Sequence, residues 1–394
     1  MPKVLRIINR FNLGGITYNV SYLSRYLPEN YHTLLIGGPQ EKDEESSLYI
    51  PHSLGLHPTV LPELKRSINP LQDYLAYRRI KKIIREFKPD IVHTHASKAG
   101  FIGRFAAKHC GVPVIVHTFH GHVFEGYFIK PITRLIISVE RRLARFCAAI
   151  VAISPEQKRQ LSEVHRICEA QKIQVIPLGF DLRRFTENQA GKRRDFRERF
   201  GLSDDELALG IIGRLAPIKN HRLFIDAVLY ASKHCSVKFK AFIIGDGKTR
   251  EALETYIAER NHTALTGNHT TQLFTFTGWI KEADVALAGL DLVCLSSKNE
   301  GTPVSLIEAQ AAGRYIVSTN VGGIKDILHP ECGLLSEPGD DIGFQKNVLK
   351  AIQQFEQFQT NAGKAQKEVL EKFSYTRLCS DIEQLYEQLL KEKK

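Results

Sequence analysis

Short apolar runs alternate with amphipathic helical stretches along almost the whole chain, and this alternation occurs twice. In the first pass, strand-like segments fall near residues 3–9, 32–37, 90–94, 113–118, 148–152 and 173–176. Helical spacing of apolar residues occupies 16–27, 70–87, 98–109, 131–146 and 154–165. Strands separated by helices predict a parallel sheet covered on both faces. A break follows at Pro177-Leu178-Gly179-Phe180-Asp181, and the polar, basic stretch to Arg199 reads as a linker. The pattern then restarts, with strands predicted at 207–213, 238–244, 273–277, 291–295 and 315–319 and helices near 219–233, 248–260, 303–312 and 340–372. Ser374 suits the N-cap of a last helix over about 375–392. At 394 residues the chain exceeds what one core organises. The expectation is an α/β protein with a first doubly wound domain over 1–180, a linker over 181–199 and a second domain over 200–372. A helix over 373–394 is expected to cross back to the first domain. Ligands of such sheets bind beyond the carboxyl ends of the strands.

The bulk properties narrow the partners. No apolar run approaches the ~20 residues that cross a bilayer, and the first residues show no signal-peptide layout. Seven singly scattered cysteines, without a Cys-x-x-Cys pair, point to reduced thiols rather than a zinc or disulfide framework. A cytoplasmic chain is expected, and the Asn-x-Thr triplets at Asn261 and Asn268 then mark only a polar loop. The net charge of +11 lies wholly in the first half: residues 1–183 hold 26 Lys+Arg against 15 Asp+Glu, and the remainder holds 28 of each. That asymmetry predicts an acidic partner for the first domain. Basic runs at Arg78–Arg85 and Thr133–Phe146 fit either ordinary amphipathic helices with a solvated face or peripheral docking on an anionic membrane. Nucleic acid is not expected, because these runs lack stacking aromatics in a known module pattern.

The densest chemistry lies in the second half, at Ser296-Ser297-Lys298-Asn299-Glu300-Gly301-Thr302-Pro303-Val304-Ser305-Leu306-Ile307-Glu308-Ala309, directly after a strand. Thr302 suits an N-cap, Pro303 the first helical position and Gly313 the stop. A helix N-terminus at the carboxyl edge of a strand offers free N–H groups to a phosphate. Glu300, before the helix, can accept hydrogen bonds from sugar hydroxyls, and Glu308, more than a turn inside it, can hold a ribose diol. In Gly213-Arg214-Leu215-Ala216-Pro217-Ile218-Lys219, Arg214 ends a strand and Lys219 opens the next helix. Two cations on one loop can neutralise a departing diphosphate without a metal. Gly245-Asp246-Gly247 lets backbone approach a ligand, and Gly278-Trp279-Ile280 offers main-chain groups to a base edge. Each fragment alone has a plain alternative: a turn, a solvated cation, or two unrelated carboxylates.

Taken together these residues resemble the large family of retaining glycosyltransferases with the GT-B fold, family 4, of the kind used in bacterial surface polysaccharide assembly. The likeness covers nearly the whole chain. It implies two Rossmann-like doubly wound domains facing across a cleft. By this resemblance Arg214 and Lys219 bind the donor diphosphate, Glu308 the ribose and Glu300 the transferred sugar. The backbone of Gly301, Thr302, Pro303 and Val304 then reaches the donor, with Gly245, Gly247, Trp279 and Ile280 also on the donor side. In the first half, Gly14-Gly15 joins the first strand to the first helix and approaches the diphosphate or the acceptor. His120, in His117-Thr118-Phe119-His120-Gly121-His122, corresponds to the family's cleft histidine beside the donor sugar. His95, at the end of the neighbouring strand, and His122 are further acceptor or cleft candidates. His93 alternates with His95, so one of the pair can be merely buried. No ligand spacing for a metal accompanies either His-x-His pair. One departure is Ala311-Ala312-Gly313-Arg314-Tyr315, where the family usually has Gly-x-Pro.

The expected reaction is transfer of a sugar from a nucleotide diphosphate-sugar to a saccharide or lipid-linked acceptor, with no cofactor and no metal. UDP is the leaving group by resemblance, and GDP stays open. Two alternatives share the build: a nucleotide-sugar 2-epimerase, which needs no acceptor, and a non-catalytic nucleotide-sugar or lipid-binding module. A dinucleotide oxidoreductase is disfavoured, since no Gly-x-Gly-x-x-Gly follows a strand.

Overall fold

The computed structural model describes residues 1–12, 15–41, 45–65, 67–121, 124, 129–263 and 273–393. The chain divides into two compact units, one of Met1–Phe180 with Lys372–Lys394 and one of Asp181–Glu371. Among the described residues no helix is long and apolar enough to cross a membrane.

The first unit is built on β1 (Lys3–Arg10), β2 (His32–Gly38), β3 (Thr59–Val60), β4 (Ile91–His95), β5 (Val114–Phe119), β6 (Ala149–Ala152) and β7 (Ile173–Val175). They pair in parallel in the order β3-β2-β1-β4-β5-β6-β7. Alternate residues of a strand point to opposite faces, so each apolar run supplies two cores. Leu5, Ile7, Val92, Ile115 and Ile150 pack with Ile80 and Ile84 of the helix Pro70–Phe87 and with Ile102 of the helix Ser97–His109. Val4, Ile91, Val114, Val116 and Val151 pack on the other face against Leu378, Ile382, Leu385 and Leu389 of the helix Tyr375–Lys391. Ser374 caps that last helix, its side chain accepting from Thr376 N. Asn69 caps Pro70–Phe87 in the same way, with Pro70 in its first turn.

The second unit holds β8 (Leu207–Ile212), β9 (Phe239–Ile244), β10 (Phe274–Gly278), β11 (Leu292–Leu295), β12 (Tyr315–Thr319) and β13 (Gly333–Ser336). Their parallel order is β10-β9-β8-β11-β12-β13. Both sheets therefore reverse direction of growth once, at β1/β4 and at β8/β11. Those reversals are where doubly wound sheets place their ligands.

Several expectations need correction. The stretch 181–199 is not a linker: it belongs to the second unit and carries the helix Gln189–Arg199. Phe196 of that helix is buried against Phe242, with ring centroids 5.3 Å apart. Its Arg193 and Arg197 both bind the buried carboxylate of Asp291, and Lys192 pairs with Asp284. Charge pairing to distant acids holds a helix that has almost no apolar stripe. The helix expected over 340–372 is two, Asp341–Gln353 and Phe355–Lys372. The strands β3 and β13 and the helix Ala283–Gly289 were not anticipated; each is short and offers too few residues for periodicity to register.

Candidate functional site

In the second unit the loops leaving β8 and β11 emerge side by side at the reversal of strand order. Strand β8 ends at Ile212, so Arg214 lies two residues beyond it, exposed and without a hydrogen bond or ion pair among the described residues. Lys219 does not open the helix: it ends a short 3-10 turn, Pro217–Lys219, and the helix begins at His221. Lys219 Nζ donates to Glu300 Oε1 at 2.6 Å, and Ser297 Oγ donates to the same oxygen at 2.6 Å. The two loops are stitched by main chain as well. Ser296 Oγ donates to Lys219 O and Asn220 O, and Lys298 N donates to Ile218 O at 2.8 Å. The cation and the carboxylate are thus placed by backbone, not by a long flexible stem alone.

The helix after β11 is Val304–Ala311, and its N-cap is Pro303 rather than Thr302. Pro303 has no side-chain acceptor, so the first amides of the helix are not consumed by a cap. Thr302 Oγ1 is buried and finds no hydrogen-bond partner among the described residues. Gly313 stops the helix at φ +68°. Glu308 lies on its second turn, where Arg184 Nη2 donates to Oε1 at 3.2 Å. Burial raises the Glu308 carboxyl from 4.5 to about 7, against the opposing pull of Arg184.

The glycines have a role that the sequence did not suggest. A Cβ on Gly245 would lie 2.0 Å from Gly213 O, and one on Gly322 would lie 1.8 Å from Glu300 O. What approaches these positions is a neighbouring loop. Gly213 N donates to Ile244 O, Leu215 N to Asp246 O and Gly245 N to Gly278 O, so the loops after β8, β9 and β10 form one hydrogen-bonded rim. Gly247 packs under Leu215 O in the same rim. Trp279 and Ile280 follow directly, with Trp279 half exposed. Gly323 N donates to Gly301 O, which braces the Glu300–Gly301 turn from behind. Sequence reasoning missed Ser297, Arg184 and Gly322; the Gly-Gly pair after β12 was the available signal. It also missed His221, which is buried with neither ring nitrogen bonded. Burial, and then the charge of Lys219, lowers its pKa to about 4.

In the first unit His95 ends β4 and His120 follows β5, adjacent strands next to the reversal at β1/β4. Gly15 opens the helix Gly15–Tyr26 after β1, while Gly14 and His122 lie outside the described residues. His95 Nδ1 and His120 Nε2 share a hydrogen bond of 2.9 Å. Burial lowers His120 to about 4 and puts His93, His95 and His117 well below 6.5, so all four rings are neutral at pH 7. His95 Nε2 is buried without a partner. An orphaned N–H costs more than an idle lone pair, which assigns the shared proton to His95 Nδ1. His120 then accepts at Nε2 and carries its own proton on Nδ1. His93 is the structural member of the pair: its Nε2 meets Thr118 Oγ1 at 2.7 Å and its Nδ1 meets the Tyr386 hydroxyl at 2.6 Å. Arg6, fully buried, donates to that hydroxyl at 3.0 Å. His93 and His95 stack at 4.3 Å between centroids. Among the described residues no group of three or more His, Cys, Asp or Glu could hold a metal ion.

Two family models together span most of the chain. Residues 13–184 match the model of the family described as Glycosyltransferase Family 4, and residues 206–354 match that of Glycosyl transferases group 1. The chain is 28% identical to the UDP-Gal:alpha-D-GlcNAc-diphosphoundecaprenol alpha-1,3-galactosyltransferase of Escherichia coli, over 83% of its own length and 82% of that protein. It is 26% identical to the capsular polysaccharide biosynthesis glycosyltransferase CapM of Staphylococcus aureus, over 84% and 85% respectively. Among solved structures, HepE of Anabaena in complex with UDP and glucose aligns at a TM-score of 0.80, covering 98% of this chain and 100% of that one. At 18% identity that likeness shows a common fold.

Proposed function

Because the chain belongs to glycosyltransferase family 4, we propose that it moves a hexose from a UDP-sugar to a saccharide or lipid-linked acceptor in polysaccharide or glycolipid assembly. The observation that carries the donor side is the Lys219–Glu300 pair, 2.6 Å apart at the strand-order reversal and next to the start of the helix Val304–Ala311. Lys219 and Arg214 neutralise the charge that grows on the departing diphosphate, aided by the helix-start amides and Thr302 Oγ1. Glu300 takes the hydroxyls of the transferred sugar, Glu308 the ribose diol, and the rim of Gly245, Gly247, Trp279 and Ile280 the base. His120, neutral and with Nδ1–H available, donates to the sugar. UDP is supported by the E. coli relative, whose donor is UDP-Gal, and by the UDP held in the Anabaena protein. The diphosphoundecaprenol acceptor of the same relative supports a lipid-linked acceptor.

Retention is part of this reading. The acceptor oxygen attacks the anomeric carbon from the face that the diphosphate leaves. The carbon–oxygen bond to phosphate breaks, the new one forms, and the acceptor proton passes to the departing phosphate oxygen. In this reading two permanent cations, Lys219 and Arg214, take the place of a metal, so a chelator should leave turnover unchanged.

Thermal unfolding with UDP, GDP, CMP and NAD in parallel tests the donor. A ligand at one hundred times its Kd stabilises by about 2.7 kcal/mol. A rise with UDP alone supports the reading, a rise with GDP alone moves the base, and a rise with NAD alone overturns it. Product analysis with intact UDP-sugars then decides between α-retention and inversion.

A further inference from the structure

The first unit exposes large apolar side chains in an uneven way. Half of those exposed among the described residues cluster at the starts of three neighbouring helices, Pro70–Phe87, Ser97–His109 and Lys130–Ala144. These helices pack in sequence along the same face of the sheet. Each follows a strand of a parallel sheet, so all three begin at its carboxyl edge. Ile68 and Leu71 stand at the first helix, Phe101 at the second, and Ile129, Ile132 and Leu135 at the third. Ile68, Leu71, Ile129 and Leu135 are each 64–84% exposed, too much for a folding role.

The charge pattern behind these tips repeats. On the first helix Leu71 and Leu75 are followed on the same stripe by Arg78, Arg79 and Lys82; on the third, Leu135 is followed by Arg142 and, just past the helix, Arg145. Seven residues of helix separate tip from basic shaft by about 10 Å, the depth over which a bilayer passes from acyl chain to headgroup. The acids of these helices offset only Lys98, Arg104 and Lys82. Asp73 is paired with Lys98, Glu140 is buried with Arg104, and Glu86 faces Lys82. Arg78, Arg79, Arg134, Arg142 and Arg145 have no ion pair among the described residues.

We propose that this rim is a docking surface for an anionic lipid bilayer, with the three helix tips inserted and the arginines at the headgroups. A second copy is the poorer occupant, since a two-fold contact would set arginine against arginine. The same carboxyl edge carries His95, His120 and Gly15. The inference rests on the reading that the acceptor is lipid-linked, because docking here brings the bilayer to the edge that carries these residues.

The test is sedimentation of the full chain with vesicles of phosphatidylcholine, with and without phosphatidylglycerol, none containing any acceptor. The wild type should sediment with the anionic vesicles only, and less at high salt. The pairs Ile132→Ser with Leu135→Ser and Arg142→Glu with Arg145→Glu should each lower binding about tenfold or more, with unchanged melting midpoints. Failure of the wild type to sediment, or variants that bind equally well, overturns the proposal. So does a solution dimer that the apolar pair abolishes while vesicle binding is absent. Transfer to a water-soluble acceptor, measured on the same variants, should stay at the wild-type rate. Loss of transfer by the wild type would instead overturn the functional reading.

Discussion

Replacing Glu308 by glutamine tests whether the proposed diol acceptor is held in the fold at a cost. The carboxyl titrates at 4.5 in an unfolded chain and at about 7 here, because burial disfavours its charge more than Arg184 favours it. Below pH 4.5 it is protonated in both states. Between 4.5 and 7 only the unfolded carboxyl ionises, so the folded state binds the extra proton and stability falls as pH rises. Each pH unit between the two pKa values is worth about 1.4 kcal/mol, which makes the ionised side chain at pH 8 a burden of about 3 kcal/mol. The glutamine variant lacks this burden at every pH. Its melting midpoint should therefore gain on that of the wild type from pH 4.5 to 8, by roughly 6–12 °C at about 2–4 °C per kcal/mol for a unit of this size. Histidine titrations are common to both chains and cancel in the difference. Parallel melting curves across that range would refute the reasoning. So would a gap that narrows as pH rises. The same variant should bind UDP about tenfold more weakly, having lost a charged acceptor. Gained stability with lost affinity is the signature of a residue retained for function.

Lys219→Ala should lower turnover about 100-fold or more while leaving the fold intact, as expected for one fixed donor to a developing anion; near-normal turnover would remove it from the leaving-group role. Gly322→Ala should cost far more than Gly111→Ala, because both have φ > 0 but only the first would put a Cβ 1.8 Å from a carbonyl oxygen, and equal losses in midpoint would show that loop contact is irrelevant. His221 is lowered to about 4, so the stability it confers is complete above 6.5 and lost as pH falls toward 4. His221→Phe should therefore flatten the acid limb of the stability curve, measured by denaturant midpoints at pH 7 and 5, and an unchanged limb would count against a neutral buried ring.

Much of the architecture was legible because its signals are local. The apolar runs at Val4–Ile8 and Val114–Val116 each feed two cores, which is why they read as continuous rather than alternating. Ser374 announced a helix start through a cap that needs only the next few residues. The parts that stayed hidden depend on partners far away in sequence. Gln189–Arg199 is held by Asp291 and Asp284, about a hundred positions on, and nothing in its own residues reveals them. Arg184 reaches Glu308 across a separation of 124 residues. At Gly245 the expected close approach is present and a neighbouring loop also makes it, a contact the sequence could not announce, since a loop and a ligand make the same demand on a residue. The pairing of Lys219 with Glu300 was legible only as two loops, because strand order, which sequence does not state, sets them side by side.

The return of Tyr375–Lys391 to the first unit fixes an order of assembly on the ribosome. Phe180 N bonds Phe373 O and Tyr375 N bonds Phe180 O, so the junction closes only after the whole second unit has been made. At 5–20 residues per second the interval is roughly 10–40 s. Throughout it, one face of the first sheet, with Val4, Ile91, Val114, Val116 and Val151, lacks the side chains of Leu378, Ile382, Leu385 and Leu389 that later cover it. Arg6 and His93 likewise wait for the Tyr386 hydroxyl. The second unit can be finished while the first is still open, and a nascent chain of this design spends its longest exposed moment with an apolar sheet facing water.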